Sequence, residues 1–314
     1  MQTVEQKISG ARVLNIHNDF MDVEVECLPE HGGRLNRLVL NSGSEKRNII
    51  AGYDSKKELL ANSFFRNVIL FPFINRLDEG KWVYKQKELQ FPVNETELNN
   101  ALHGFLFRKS LEVISTRNDQ EGIEINLGYD YRAEYDYYPF NLDIRLTYSI
   151  SSPETLSLHF DIMNVGTEEA PMALGWHPYF TLGEEVDDLE LTTPAMEQIL
   201  VDDRLLPTGE IQPFPDFEGG RKLGNQELDT CFALEEDKEA TTTLYSPRQQ
   251  TEIAVRQDDE FKYMQLFIPP GRKSIAIEPV TSNINAFQTG EGLICVAPHQ
   301  RINASVSVSI NKKD

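Results

Sequence analysis

Apolar and polar residues alternate with a period of two along much of this chain. In NLDIRLTYSI the residues Leu142, Ile144, Leu146, Tyr148 and Ile150 fall on one side, with polar residues between them. LSLHFDIMNVG repeats the pattern with Leu156, Leu158, Phe160 and Ile162, and RINASVSVSI gives Ile302, Ala304, Val306, Val308 and Ile310. FMDVEVECL and EGIEINLGYDY behave in the same way. Side chains on a strand point to opposite faces in turn, so such runs predict strands with one buried face. The breaks between them, LNSGSE, NVGTEEAP and FIPPGRKS, are rich in Gly, Pro, Asn and Ser and predict turns.

A sustained helical period is nearly absent. Only SKKELLANS predicts a helical turn or two. The acidic stretches Glu184 to Asp188 and Glu235 to Glu239 read as solvated loops. No Gly/Ser linker and no repeat of domain scale divides the 314 residues. Many antiparallel strands with frequent turns predict an all-β fold, a large two-sheet antiparallel β-sandwich with few short helices, as a single domain over 1–314. One sheet face is expected to be concave enough to hold a ligand.

Charge and cysteines narrow the partners. Fifty acidic residues against 30 basic ones give a formal net charge of -20. Such a surface repels phosphate backbones, which argues against nucleic acid and anionic membrane as partners. Three cysteines, Cys27, Cys231 and Cys295, cannot all pair and form no CxxC, which fits a reducing compartment. The N-terminal MQTVEQKISGARVLN has no apolar core of signal-peptide length, and no run approaches the length of a membrane span. A cytoplasmic protein is expected, with monomer and homodimer both open.

A few polar residues stand where bland roles fit less easily. In ALGWHPYF, His177 lies between aromatics and a proline, where a satisfied core histidine is the plain alternative. Arg76 follows the apolar run of ILFPFINRL, where a strand-end arginine paired with a surface acid would suffice. His103 precedes Gly104 in NNALHGFLF, a strand-to-loop junction of the kind that carries binding residues or merely turns. Asp229 opens the apolar DTCFAL, where it would also serve as a cap. Glu278 ends the alternation of Ile275 and Ile277, a place where an unpaired carboxylate is costly to bury.

Taken in order, NRL after an apolar run, ALHGF, GWHPYF, LDTCF and a late apolar-Glu-Pro segment ending in NAF resemble the aldose 1-epimerases, or galactose mutarotases. The resemblance runs from GGRLNRLVL to APHQRI. It implies a galactose mutarotase-like super-sandwich that interconverts the anomers of an aldose without cofactor or metal. It implies His177 as general acid, Glu278 as general base, His103 as a second histidine that binds the sugar and polarises its ring oxygen, and Arg76 and Asp229 as partners of sugar hydroxyls. The chain departs from the family pattern at Trp176, where a short polar residue is common, at Thr230, where a histidine is common, and over Ser282 to Phe287.

The chemistry wants these types. Ring opening takes a proton from the anomeric hydroxyl and gives one to the ring oxygen, so one base and one acid on opposite sides of the hemiacetal are expected. Each contributes about 10²- to 10⁴-fold. Apolar surroundings should raise a glutamate's pKa, while a nearby carboxylate should keep a histidine protonated. Trp176 is expected to bind the sugar with a flat apolar face, with core packing its open alternative; Trp82, Tyr179 and the cluster Tyr135, Tyr137 and Tyr138 are further candidates for the cleft, as is Phe180, for which core packing is the favoured reading. The competing functions are a glycoside hydrolase using Asp229 and Glu278, a non-catalytic sugar-binding protein, and a hexose-6-phosphate mutarotase, for which Arg66, Arg108 and Arg132 are scattered cations.

Overall fold

The computed structural model describes residues 3–8, 11–43, 45–235 and 238–313. Three antiparallel sheets dominate it, of five, nine and eight strands. The predicted alternating runs become strands. Gly122–Arg132, Asn141–Ser152 and Thr155–Asn164 follow one another as hairpins in the nine-stranded sheet. The C-terminal strand Arg301–Lys312 returns to lie beside Thr155–Asn164, with Leu158 opposite Val306 and Phe160 opposite Ala304. Its other edge pairs with Thr251–Gln257, with Val255 opposite Val308. FMDVEVECL supplies Val23–Leu28, a middle strand of the five-stranded sheet.

The apolar half of each alternation is buried. Leu142, Ile144, Leu146, Tyr148 and Ile150 are each no more than 1% exposed. They share one continuous core with Val25 and Leu38 of the five-stranded sheet and with Phe232, Met264, Leu266, Ile275 and Ile277 of the eight-stranded sheet. At roughly 1.5–3 kcal/mol per buried large apolar side chain, this contact between sheets dominates the stability of the sandwich.

The eight-stranded sheet positions the site. Asp229–Leu234, Tyr263–Phe267 and Ile275–Val280 are neighbours in it, and Gly175–Trp176 and Ile69–Leu70 continue it. Phe232, Met264, Leu266, Ile275 and Ile277 point into the core. By strand alternation, Asp229, Gln265 and Glu278 then point to the opposite face. Gln265 and Glu278 are direct cross-strand partners, as are Gln265 and Cys231.

The predicted helical turn is the α-helix Lys56–Ala61, whose Ser55 side chain accepts a hydrogen bond from the Glu58 amide. A short polar cap of this kind satisfies an amide that the first turn leaves unpaired. Asn62 ends the helix in the left-handed region. The other α-helix is the single turn Ala286–Thr289.

One loop expectation needs correcting. Glu184 is not solvated: its side chain is 5% exposed, receives Ser246 and Gln249, and lies 3.1 Å from Arg248. The turn after Phe180 folds back on the 246–249 turn, so a carboxylate is needed there to pair their donors. Within Glu235 to Glu239, residues Glu236 and Asp237 lie outside the described residues, as does Ser44 of LNSGSE. No helix among the described residues is long and apolar enough to cross a membrane.

Candidate active site

A cavity of about 180 Å³ opens on the outer face of the eight-stranded sheet. His103, His177, Arg76, Asp229 and Glu278 all line it, although they are spread over 200 residues of sequence. Phe64, Phe65, Leu102, Tyr179 and Phe267 supply apolar wall, and Asn75 and Gln265 supply amides.

His177 and Glu278 form its floor. Nε2 of His177 lies 3.3 Å from Oε1 of Glu278, and the two side chains are only 7% and 3% exposed. The histidine is held by its own backbone, whose amide donates to Val68 O at 3.0 Å and whose carbonyl accepts from Asn67 N at 2.9 Å. Asn67 also accepts the Tyr179 amide at 2.9 Å, which fixes the next turn. The Tyr179 ring then stacks on His177, with centroids 5.1 Å apart and planes 8° from parallel. His103 approaches His177 from the side at 5.4 Å, and Phe65 packs its ring against His103 at 4.6 Å. The Nδ1 atoms of both histidines are buried without a hydrogen-bond partner among the described residues.

Burial sets the electrostatics. Desolvation lowers the His177 pKa to about 3. It also drives His103 well below the usual histidine value, helped by the adjacent His177 and Arg76. Desolvation raises Glu278 well above the usual carboxylate range, reinforced by Asp229 and opposed by Arg76. Asp229 is open to solvent at the mouth, yet the walls around it desolvate it enough to raise its pKa as well. Each buried group is thus pushed toward its neutral form, because charge is costly where water is excluded.

This corrects one expectation: burial lowers the His177 pKa even though a carboxylate lies beside it. The two side chains are in direct contact.

The wall is a chain of hydrogen bonds. Arg76 donates to Glu95 through Nε at 3.0 Å and Nη2 at 2.9 Å, and through Nη1 to Asn75 Oδ1 at 3.1 Å. Asn75 Nδ2 donates to Gln265 Oε1 at 3.2 Å, and Gln265 Nε2 donates to Asp229 Oδ1 at 2.8 Å. Every donor in the run from Arg76 to Asp229 points the same way. Arg76 is therefore both a cavity residue and, as its plain alternative had it, an arginine paired with an acid.

Backbone strain collects around the cavity. Phe64, Phe65, Asn67, Asn75 and His103 have φ of 61, 51, 58, 46 and 63°. The left-handed conformation costs an L residue roughly 1–2 kcal/mol, and such residues gather at functional sites. Beside His103, Gly104 has φ 67°, and a Cβ there would sit 2.1 Å from Phe71 O. That contact explains the glycine in ALHGF.

Trp176 is the exception among the predicted site residues. It is fully buried, belongs to the core and packs edge-on against Phe180 at 6.2 Å. The reason is strand alternation: if His177 faces the cavity, its neighbour faces the opposite side. Phe180, Trp82 and Tyr138 are likewise core residues, and Tyr135 and Tyr137 pack against that core rather than lining the cavity. Arg66, Arg108 and Arg132 do not line the cavity either.

Sequence reasoning missed Asn75, Gln265, Glu95, Phe64 and Phe65. Gln265 carried a signal, an amide in the otherwise apolar YMQLF.

Among the described residues no group of three His, Cys, Asp or Glu side chains is placed to hold a metal ion. A cavity with an imidazole–carboxylate pair at its floor and directed hydrogen-bonding groups along one wall can move protons on a small polyhydroxylated molecule.

Known proteins agree with this reading of the fold. A galactose mutarotase-like protein from Clostridium acetobutylicum superposes with TM-score 0.87 at 22% identity, over 98% of this chain and 97% of that one. Galactose 1-epimerase from Lactobacillus acidophilus gives 0.81 at 19% identity, over 100% and 98%. In sequence, the uncharacterized protein YihR of Escherichia coli (strain K12) is 27% identical over 241 residues, 74% of this chain and 76% of that one. Galactose mutarotase of Sus scrofa is 27% identical over 172 residues, 52% of this chain and 47% of its own length. The model of the family described as aldose 1-epimerase matches residues 13–309. With nearly its whole length matched, this chain is a member of the aldose 1-epimerase family.

Proposed function

We propose that this protein is an aldose 1-epimerase that interconverts the α and β anomers of a free aldohexose, with Glu278 and His177 as its acid–base pair. The observation that carries the reading is their buried 3.3 Å contact at the floor of a cavity that also holds His103, Arg76 and Asp229. Between them the pair needs two protons, one more than a bare carboxylate and a neutral imidazole hold. Carboxylate with imidazolium, and carboxylic acid with neutral imidazole, contain the same protons and differ by one transfer along the contact.

Ring opening starts from the first form. Glu278 takes the proton of the anomeric hydroxyl as the O1 lone pair forms the carbonyl. The C1–O5 bond breaks with its electrons on O5, which takes the Nε2 proton of His177. The enzyme is left as carboxylic acid and neutral imidazole, the forms that burial favours. Rotation about C1–C2 turns the other face of the aldehyde toward O5. Closure returns both protons and regenerates the starting pair. Arg76, Asp229 and His103 would hold hydroxyls and the ring oxygen, and Tyr179, Phe65 and Phe267 would cover the apolar faces.

A free sugar is favoured over a phosphorylated one. Arg76 is the sole Arg or Lys among the described lining residues, and Glu95 already occupies it in a two-point ion pair. With Asp229 and Glu278 also present, the cavity offers a phosphate little attraction. The three free cysteines support a reducing, cytoplasmic setting.

The test is optical rotation. Freshly dissolved α-D-galactose and α-D-glucose, each with and without protein, should drift to equilibrium faster with it, and Glu278→Gln should abolish the difference. No acceleration with either sugar overturns the proposal.

A further inference from the structure

Acid–base work at the cavity floor needs His177 as an imidazolium beside an ionised Glu278, while burial favours both groups uncharged. Something must lower the cost of the imidazolium. The titratable and charged side chains that share the cavity account for little of this. Glu278 is the other holder of the same proton. His103, edge-on to His177 at 5.4 Å, is itself held neutral by burial, and Arg76 carries charge of the wrong sign. Asp229 is engaged by Gln265 at 2.8 Å, and burial raises its pKa too.

Tyr179 offers a different kind of support. His177 and Tyr179 stand two apart in an extended segment, so their side chains leave it on one side. Pro178 between them restricts the backbone that joins them. Their rings lie 5.1 Å apart and within 8° of parallel, so the phenol presents its face to the imidazole. Three contacts hold it there. The Tyr179 amide donates to Asn67 Oδ1 at 2.9 Å, the hydroxyl donates to Phe64 O at 2.7 Å, and the ring meets Phe267 edge-on at 6.3 Å. Although it borders the cavity, Tyr179 is 0% exposed, so solvent does not screen the stack.

The chemistry of that face matters. An aromatic face is electron-rich and attracts a cation within about 6 Å of the ring centre, more strongly where water is excluded. A hydroxyl that donates a hydrogen bond pushes electron density into its ring and deepens the effect. Burial also drives the phenol's pKa far up, so the ring stays uncharged. The stack therefore attracts an imidazolium and is nearly indifferent to a neutral imidazole. It raises the share of the pair held in the reactive form.

Resting on the proposed mutarotase reading, we infer that Tyr179 is a positioning residue for the reaction: its ring face stabilises His177 as the imidazolium that protonates the ring oxygen of the sugar.

The test compares Tyr179→Phe with Tyr179→trifluorophenylalanine, introduced site-specifically. The two side chains share a shape but not a face, because fluorine draws electron density out of the ring. Anomerisation of galactose and glucose by the parent and both variants gives kcat and KM. From phenylalanine to trifluorophenylalanine kcat should fall about tenfold, the equivalent of roughly 1.4 kcal/mol, with KM little changed. A role in packing alone would move neither constant between these two variants, so equal kcat values overturn the inference and keep the mutarotase. A raised KM at constant kcat would confine Tyr179 to walling the sugar and also overturn it. No acceleration by the parent overturns the mutarotase reading and this inference with it.

Discussion

His177 and Glu278 touch through Nε2 and Oε1 at 3.3 Å, and both are nearly sealed from water. A base and an acid in direct contact behave as one proton-holding unit, and its titration belongs to the pair. The reactive forms are those with two exchangeable protons. The unit gains a third proton only when His177 is protonated beside a neutral Glu278, and loses one only when Glu278 ionises beside a neutral His177.

The pH profile of kcat/KM follows. Its acid limb should fall near pH 3, the value to which burial brings His177, and its alkaline limb should lie well above the ordinary carboxylate value of 4.5. Initial rates of anomerisation across pH, corrected for the spontaneous reaction, check this. An acid limb near 6.5 would mean that His177 is solvated in the working enzyme.

Single replacements separate chemistry from folding. His177→Asn and Glu278→Gln should each lower kcat by about 10²- to 10⁴-fold, as expected for loss of one general acid or base. Circular dichroism should show an unchanged fold. Activity within a few-fold of the parent for His177→Asn would remove it from the mechanism.

The same carboxylate burdens the fold at alkaline pH. Glu278 binds its proton more tightly folded than unfolded, so its contribution to stability is fully present below about pH 4.5 and is lost as pH rises through the raised folded value. Glu278→Gln cannot ionise. It should therefore have a higher Tm than the parent at pH 8 and no such advantage at pH 4, read by thermal unfolding at both values. His177 acts in the opposite sense: its contribution is present above 6.5 and lost as pH falls toward 3.

Glu95 should govern binding more than turnover. It grips Arg76 at two points, with side chains 12% and 19% exposed for the pair. Glu95→Gln frees the guanidinium from its set position. The KM for a free hexose should rise about tenfold, in line with the roughly 1.5–3 kcal/mol of a hydrogen bond to a charged group, with kcat little changed. Relative turnover of galactose 6-phosphate should improve as the cavity gains positive charge. Steady-state kinetics on both sugars measure the two effects.

Trp176 should matter for stability alone. Trp176→Phe opens a void in the core and should cost about 1–3 kcal/mol. The loss is softened because the indole Nε1 has no partner among the described residues. Denaturant unfolding should show the loss while KM for sugar stays constant; a raised KM would return Trp176 to the binding surface.

Much of the fold was legible because alternation is a local signal. The run Leu142 to Ile150 announces both a strand and its buried face. Sheet order was not, because the pairing of Thr155–Asn164 with Arg301–Lys312 joins segments far apart in sequence. At the site, Glu278 and Asp229 stood out as carboxylates bordering apolar strands, and His103 was marked by its glycine. Trp176 was misplaced for want of one step: a strand turns adjacent side chains away from each other. Glu95 had no local mark at all, since its meaning lies in Arg76. The left-handed turns of Phe64 and Phe65 follow from tertiary packing, and neither residue type predicts them.

The run of donors from Arg76 through Asn75 and Gln265 to Asp229 has a consequence for recognition. A cation anchors one end and a carboxylate the other, so neither amide can rotate by half a turn without setting oxygen against oxygen or nitrogen against nitrogen. The cavity wall therefore carries one fixed order of donors and acceptors, a template set by the protein alone. Discrimination between sugars that differ at one stereocentre would then be mismatch against that template, and it would survive unchanged in the absence of any closing movement.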